Sequence, residues 1–424
     1  MGDASVTTLR QLDWSSARNV AVVGGGLAGL SAALELADAG CHVTLYEARP
    51  ALGGAVQTLP EREGDPEPPP DNGQHIALGC FTEYLRFLRR IGEGGSYRRL
   101  SLALPVIGGD GREATIGRSP ASVLRYGHLG VRDRLRVARA VRRLPQAGSE
   151  TETFGALLRR LGCSDASIHR FWDVFIRPAL NLRTDEVSAR WGVFTVRTAL
   201  LADRAASDVI LPARPLGRMH GDAARRALEA AGATVLTSSR VESLDDLEAE
   251  AIVVATPPAE AASLLGVPDP ELEHSPIVSV HLLFDRRILG HVLAALLESD
   301  AHWVFDRGAL TGHEPPEGGQ YVTVVSSGAP ELMEIRGREL VDRIAAQLVE
   351  RLGNAELLWS RVSREPHATL ALRPRVARPG APTDRASIVR AGSWTETGWP
   401  ATMEGAVRSG VAAAHALASR EVTA

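Results

Sequence analysis

The sequence predicts an α/β protein of two domains, one built on a parallel sheet and the other an α+β unit of helices and antiparallel strands. Three observations carry this. Residues 18–46 read as strand, glycine-rich turn, helix and strand, the size of one β-α-β unit. The stretch 119–201 is helical by its apolar period, whereas 277–326 alternates or runs apolar as strands. At 424 residues the chain has room for two or three domains.

Taken in order, 18–23 is a compact apolar strand, 27–39 a helix stopped by Gly40, and 42–46 the second strand. Residues 1–17 read as a tail. The proline-rich, acidic segment 60–71 is expected to be a mobile surface loop. A helix follows at 81–91, with Tyr84, Leu85, Leu88 and Ile91 on one side. The stretch 119–144 reads as two helices broken near 127–130. Its second half sets Arg132, Arg134, Arg136, Arg139, Arg142 and Arg143 among Val131, Leu135, Val137 and Val141. Further helices are expected at 153–161, 168–180, 188–201 and 222–231, with short strands at 233–236 and 251–255. Strands at 277–284, 302–306 and 321–326 precede a helix at 340–352. A last strand, 388–392, leads to a helix from about Thr402 to Ser419.

Composition removes whole classes of chemistry. The net charge of −4 argues against a nucleic-acid binder. All 47 basic residues are arginine, so lysine Schiff bases and P-loop lysines are excluded. Cys41, Cys80 and Cys163 are scattered, without metal or disulfide spacing, which fits a reducing cytoplasm. No signal-peptide pattern is seen, and the apolar run 20–37 is broken by glycines, so a soluble protein is expected.

The strongest motif is V-A-V-V-G-G-G-L-A-G-L, in which Gly24, Gly26 and Gly29 fill G-x-G-x-x-G. The first glycine permits the turn, the second lets the backbone approach a pyrophosphate, and the third lets helix pack on sheet. The helix N-terminus then offers free N–H groups to the phosphates. Glu47, ending the second strand, is placed to accept adenosine ribose hydroxyls, and its charge disfavours a ribose phosphate. A Rossmann-like dinucleotide site follows.

Glu47 continues as E-A-R-P-A-L-G-G-A, with Arg49 and the pair Gly53 and Gly54. Near the other end stands A-G-S-W-T-E-T-G-W-P-A-T-M-E-G-A-V-R-S-G, 391–410. Both resemble the FAD-dependent amine oxidase and phytoene desaturase superfamily, of the GR2 type. The resemblance implies non-covalent FAD held by Gly24, Gly26, Leu27, Ala28, Gly29, Glu47, Ala48, Arg49, Gly53, Gly54, Ala55, Val241, Gly392, Ser393, Ala401, Thr402 and Met403. The helix beginning near Thr402 would aim its N–H groups at the anionic edge of reduced flavin. Ala55 replaces the superfamily's usual arginine, and Ser393 its usual acid.

Interior segments narrow the resemblance. D-N-G-Q-H (71–75), R-P-A-L-N (177–181) and S-D-V-I-L-P-A-R-P-L-G-R-M-H-G-D (207–222) are similar to the hydroxysqualene dehydroxylase family, also called squalene-associated FAD-dependent desaturases. That family implies hydride delivery from reduced FAD to an allylic cation left when a hydroxyl departs, with electrons from an unidentified donor. His75 and Asp71 are the candidate acids, although His75 is equally readable as a structural histidine and Asp71 as a turn cap. Gln74, Trp191, Phe194, Trp394 and Trp399 are candidates to line the slot for a lipophilic isoprenoid. The arginine helix reads as a solvated face or as a dock for an anionic membrane, at the inner face of the cell membrane.

Three rivals remain. A carotenoid or isoprenoid desaturase would run hydride the other way. A flavin amine oxidase is disfavoured by the absence of lysine and by Thr402 where an aromatic is common. A non-catalytic prenyl-lipid carrier would need no intact glycine and Glu47 set. The FAD domain is expected from 18–90, 205–265 and 385–420, and the substrate domain from 91–204 and 266–384.

Overall fold

The computed structural model describes residues 18–421 except 148, 314, 316 and 317, so the expected tail lies outside the described residues. Five parallel strands form the first sheet, in the order Ile388–Arg390, Ala251–Val254, Asn19–Val23, His42–Tyr46, Thr234–Leu236. Asn19–Val23 is central and covered on both faces, which is why it reads as an unbroken apolar run. Helix Leu27–Asp38 lies across it and packs along helix Met403–Glu421. Glu404, in the first turn of that last helix, is fully buried and accepts from the amides of Glu83 (3.2 Å) and Tyr84 (2.8 Å). It thereby caps helix Thr82–Arg90, whose own cap residue, Phe81, has no side-chain acceptor.

A seven-stranded sheet runs Leu357–Leu370, His274–Phe284, Gln320–Ser327, Trp303–Asp306, Leu293–Leu296, Ala103–Ile107, Glu113–Gly117. Every pairing is antiparallel except Leu293–Leu296 with Ala103–Ile107. Val278, Val280, Leu282, Val322 and Val324 pack against helix Gly337–Leu352 on one face. The opposite face carries a polar patch beside apolar Val325, Trp303 and Phe305: Ser279, His281 and Thr323 stand with Arg361 and Ser363 in matching register. A third, short sheet orders Ala77–Leu78, Val209–Pro212 and Tyr97–Leu100.

Three expectations need correction. The longest strand, Leu357–Leu370, was not legible, because its inward positions are Arg361 and Ser363 rather than apolar residues. Segment 60–71 is not loose: Arg361 pairs with Asp65 and donates to the Pro60 carbonyl, while Pro68, Pro69 and Pro70 are buried. Arg361, which pins it, comes from a strand far along the chain, where no local pattern announces it. Finally, the helices expected at 168–180 and 188–201 are each α-helix joined to a π turn, at Ile168–Trp172 and Val196–Leu200.

Candidate functional site

Strand Asn19–Val23 ends at Gly24, whose φ of +111° side chains rarely adopt and whose Cβ would lie 2.5 Å from the Ala255 oxygen. A Cβ on Gly29 would fall 1.9 Å from the Gly24 oxygen, so helix and strand approach only because both positions are bare. The helix starts after Gly26 with no side-chain cap and no acid in its first turn. The leading amides at Leu27, Ala28 and Gly29 are thus left for an anion. Gly26 bridges to Gly53, and Gly54 follows at φ +60°, so the two glycine groups share one surface.

Glu47 is held there by two amides: Gly25 N–H donates to Oε2 at 2.7 Å and Arg49 N–H to Oε1 at 2.8 Å. Each oxygen keeps a lone pair for a further hydroxyl. Ala48 and Arg49 are exposed, and Val241 packs with Tyr46 and Leu244 beside the strand ends. The Ala55 carbonyl accepts from Asn72 Nδ2 at 2.8 Å, tying the glycine pair to the next segment. At the far end, Gly392 N–H donates to Ser409 Oγ, and Thr402 Oγ1 accepts from Gly405 N–H as the cap of the last helix. Ser393, Thr402 and Met403 are half-buried, and Ala401 is buried.

Asp71 is buried in an ion pair with Arg307 (2.8 Å) and accepts from Thr58 Oγ1 (2.7 Å) and Leu216 N–H (2.9 Å). This replaces the turn-cap expectation: the carboxylate joins three segments distant in sequence. Arg307 also donates to the Pro69 carbonyl. His75 is half-buried, and among the described residues its imidazole takes no hydrogen-bond partner. Burial lowers its pKa, an effect the Asp71 charge opposes. Gln74 Nε2 donates to the His75 carbonyl.

Beneath this segment lie residues that sequence reasoning missed. Ser279 Oγ is 2.8 Å from where a Gly73 Cβ would sit. Among the described residues, Ser279 Oγ, His281 Nε2, Tyr321 Oη and Arg307 Nε have no hydrogen-bond partner although buried. Burial lowers His281 to about 3, with Arg307 adding to the effect. Glu365 joins Asn72 and Ser363 nearby, and burial raises its pKa. His220 bonds the Leu216 carbonyl and Tyr84 Oη, and burial lowers it to about 4. Only strand parity, with polar residues two apart in 279–281 and 361–363, could have signalled this face.

The expected slot residues partly assemble. Trp191 meets Phe194 at 5.7 Å, Phe194 meets Trp399 at 5.2 Å, and Phe81 joins Trp399 at 5.9 Å between ring centroids. Trp394 stands apart, its indole donating to the Thr256 carbonyl within the core beside Val23 and Val254. Two guanidiniums already lie over Trp191, Arg190 at 4.6 Å and Arg378 at 4.8 Å. Arg378, almost fully buried, also donates to Glu396 and to the Trp399 and Ser393 carbonyls, so it locks the 393–399 loop against Trp191. A hollow of about 580 Å³ between Ala37, Arg90 and Ala227 lies at the other end of helix Leu27–Asp38 and takes no part.

The family model for flavin containing amine oxidoreductases matches residues 27–418. The chain belongs to that family. It is an FAD-dependent oxidoreductase, and the bare glycine cradle, uncapped helix and pinned Glu47 fit the pyrophosphate and ribose of FAD. The chain is 28% identical to a hydroxysqualene dehydroxylase of Sinorhizobium fredii, over 94% of this chain and 97% of that protein. A probable zeta-carotene desaturase of Synechococcus elongatus is 24% identical, over 96% and 99%. Among solved structures, cyclohexylamine oxidase from Brevibacterium oxydans superposes with a TM-score of 0.72 at 18% identity, covering 96% of this chain and 100% of that one. That likeness carries the fold. Among the described residues no helix is long and apolar enough to cross a membrane.

Proposed function

We propose that this chain is a hydroxysqualene dehydroxylase, replacing the allylic hydroxyl of hydroxysqualene with hydride to give squalene, a hopanoid precursor. The near-full-length match to a protein of that name supports the reading most. Reduced FAD, when bound, supplies the hydride. The chain must protonate the leaving oxygen, exclude water from the allylic cation and hold a long apolar molecule.

His75 is the proposed proton donor, since among the described residues its imidazole has no hydrogen-bond partner to release. Asp71 takes a positioning role, because protonating it would leave Arg307 unpaired in the interior. Phe194 and Trp399 line the slot, Gln74 is a further lining residue, and Trp191 supports the two rings with its two arginines. The cofactor unit comprises 18–90, 205–265 and 385–420, and 91–204 with 266–384 make the substrate unit. The enzyme works in the cytoplasm at an anionic membrane face and draws electrons from a separate donor.

A desaturase reading has its own support in the carotene desaturase match. Anaerobic reduction of the bound flavin, followed by hydroxysqualene, separates the two. Stoichiometric squalene with reoxidised flavin is expected. A flavin that stays reduced, with the alcohol untouched, would favour the desaturase and sink the dehydroxylase.

A further inference from the structure

Helix Val131–Arg143 turns an unusual face to solvent. Val137 and Ala140 point inward, into the same core as Phe154, Trp172 and Trp191. The outward side carries Val131 at 69% exposure and Leu135 at 57%, one turn apart. Leu124, on the neighbouring helix Pro120–Arg125, is 48% exposed. The interleaved apolar residues of this helix therefore divide: one set builds the core, and the other is left uncovered. Three aliphatic side chains exposed on two adjoining helices are unfavourable in water and mark an interaction surface.

Charge says what covers them. Arg132, Arg136, Arg139 and Arg143 recur at helical spacing alongside the apolar pair and are exposed, as are Arg125 and Arg142. Between 121 and 147 the sequence holds seven arginines and a single acid, Asp133, although the whole chain has a net charge of −4. Asp133 is itself engaged by Arg136 and by the Ser164 hydroxyl. An apolar ridge flanked by arginines is the pattern of a helix lying in a lipid interface. A second copy meeting this face through a two-fold axis would set arginine against arginine.

We propose that this face docks on an anionic lipid bilayer, with Leu124, Val131 and Leu135 entering the acyl boundary and the arginines meeting headgroup phosphates. The turn Leu144–Gln146 that ends the helix contacts Val196–Leu200, which continues the helix carrying Trp191 and Phe194. Val141, Leu200 and Phe194 pack on one apolar core, so the docked face and the aromatic slot are joined. That use of the surface rests on the isoprenoid reading above; docking itself does not.

The test is sedimentation of the purified, flavin-loaded protein with vesicles, without substrate. Binding is expected to equimolar phosphatidylcholine and phosphatidylglycerol, weakening with salt, and not to phosphatidylcholine alone. Arg132→Glu/Arg139→Glu/Arg143→Glu should lower the partition coefficient more than about a hundredfold, at about fivefold per arginine lost. Val131→Ser/Leu135→Ser should lower it about tenfold, whereas Leu358→Ser, 58% exposed on the edge strand Leu357–Leu370, should not. All these side chains are exposed, and retained flavin absorbance verifies the fold. Wild-type protein left in the supernatant with anionic vesicles, or either multiple variant binding as wild type, would overturn the proposal. A protein that docks yet leaves hydroxysqualene unchanged would refute only the substrate assignment.

Discussion

The glycine cradle at the end of the parallel sheet is made of backbone, whereas the polar face under Gly73–His75 is made of side chains. In the cradle, Gly24, Gly26, Gly29 and Glu47 lie close along the chain and reach one another through a single turn and two strands. On the polar face, Asp71 meets Arg307 across 236 positions, and Asp65 meets Arg361 across 296. The backbone site tolerates no added atom at Gly24 or Gly29 but needs little from distant side chains. A side-chain site stands only if every distant partner arrives.

The largest loss is expected at the buried ion pair. Arg307→Met leaves the Asp71 carboxylate buried without its cation and should cost about 3–5 kcal/mol, read as a lowered unfolding temperature. Adding Asp71→Asn should recover part of the loss; two additive losses would show that the residues are not coupled. Next comes the cradle itself. Gly29→Ala should weaken FAD retention by about a hundredfold, or about 3 kcal/mol, while the polar face is untouched. Full flavin content in that variant would mean that the helix can shift without loss.

Acid should divide the two regions again. His220 and His281 are buried neutral, lowered to about 4 and about 3 from an ordinary value of 6.5. Below pH 6.5 the unfolded chain binds protons that the folded chain refuses, so stability present above that pH falls as pH drops. The slope approaches about 1.4 kcal/mol per pH unit for each histidine until its folded value is reached. Unfolding midpoints for wild type and His281→Gln should therefore diverge between pH 6.5 and 4; parallel profiles would exclude a neutral buried His281. The smallest effect sharpens the cradle: Glu47→Ala removes two amide contacts and should lower FAD affinity about tenfold, near 1.4 kcal/mol. Unchanged affinity, by flavin titration of the stripped protein, would remove the carboxylate from the ribose site.

What could be read in advance follows the same division. The strand Asn19–Val23 and helix Leu27–Asp38 were legible because a covered parallel strand and a glycine turn write themselves into neighbouring residues. The break between Pro120–Arg125 and Val131–Arg143 was legible from its glycines. Strand Leu357–Leu370 was hidden because Arg361 and Ser363 occupy its inward positions, and the Arg361 side chain is buried against the distant segment 60–71. Trp394 and Trp399 are close in sequence yet serve different cores, a separation set by the turn between them.

By itself the sequence determined the cofactor cradle, the arginine stripe and the exclusion of lysine chemistry, since each depends on residue identity and short spacing. Tertiary structure alone decided that Asp71 is an ion-pair partner, that the 60–71 segment is pinned, and that Val131 and Leu135 face outward while Val137 faces in. The reason is physical: a backbone turn is specified by its own few residues, but burial and charge pairing are properties of whatever the rest of the chain brings alongside.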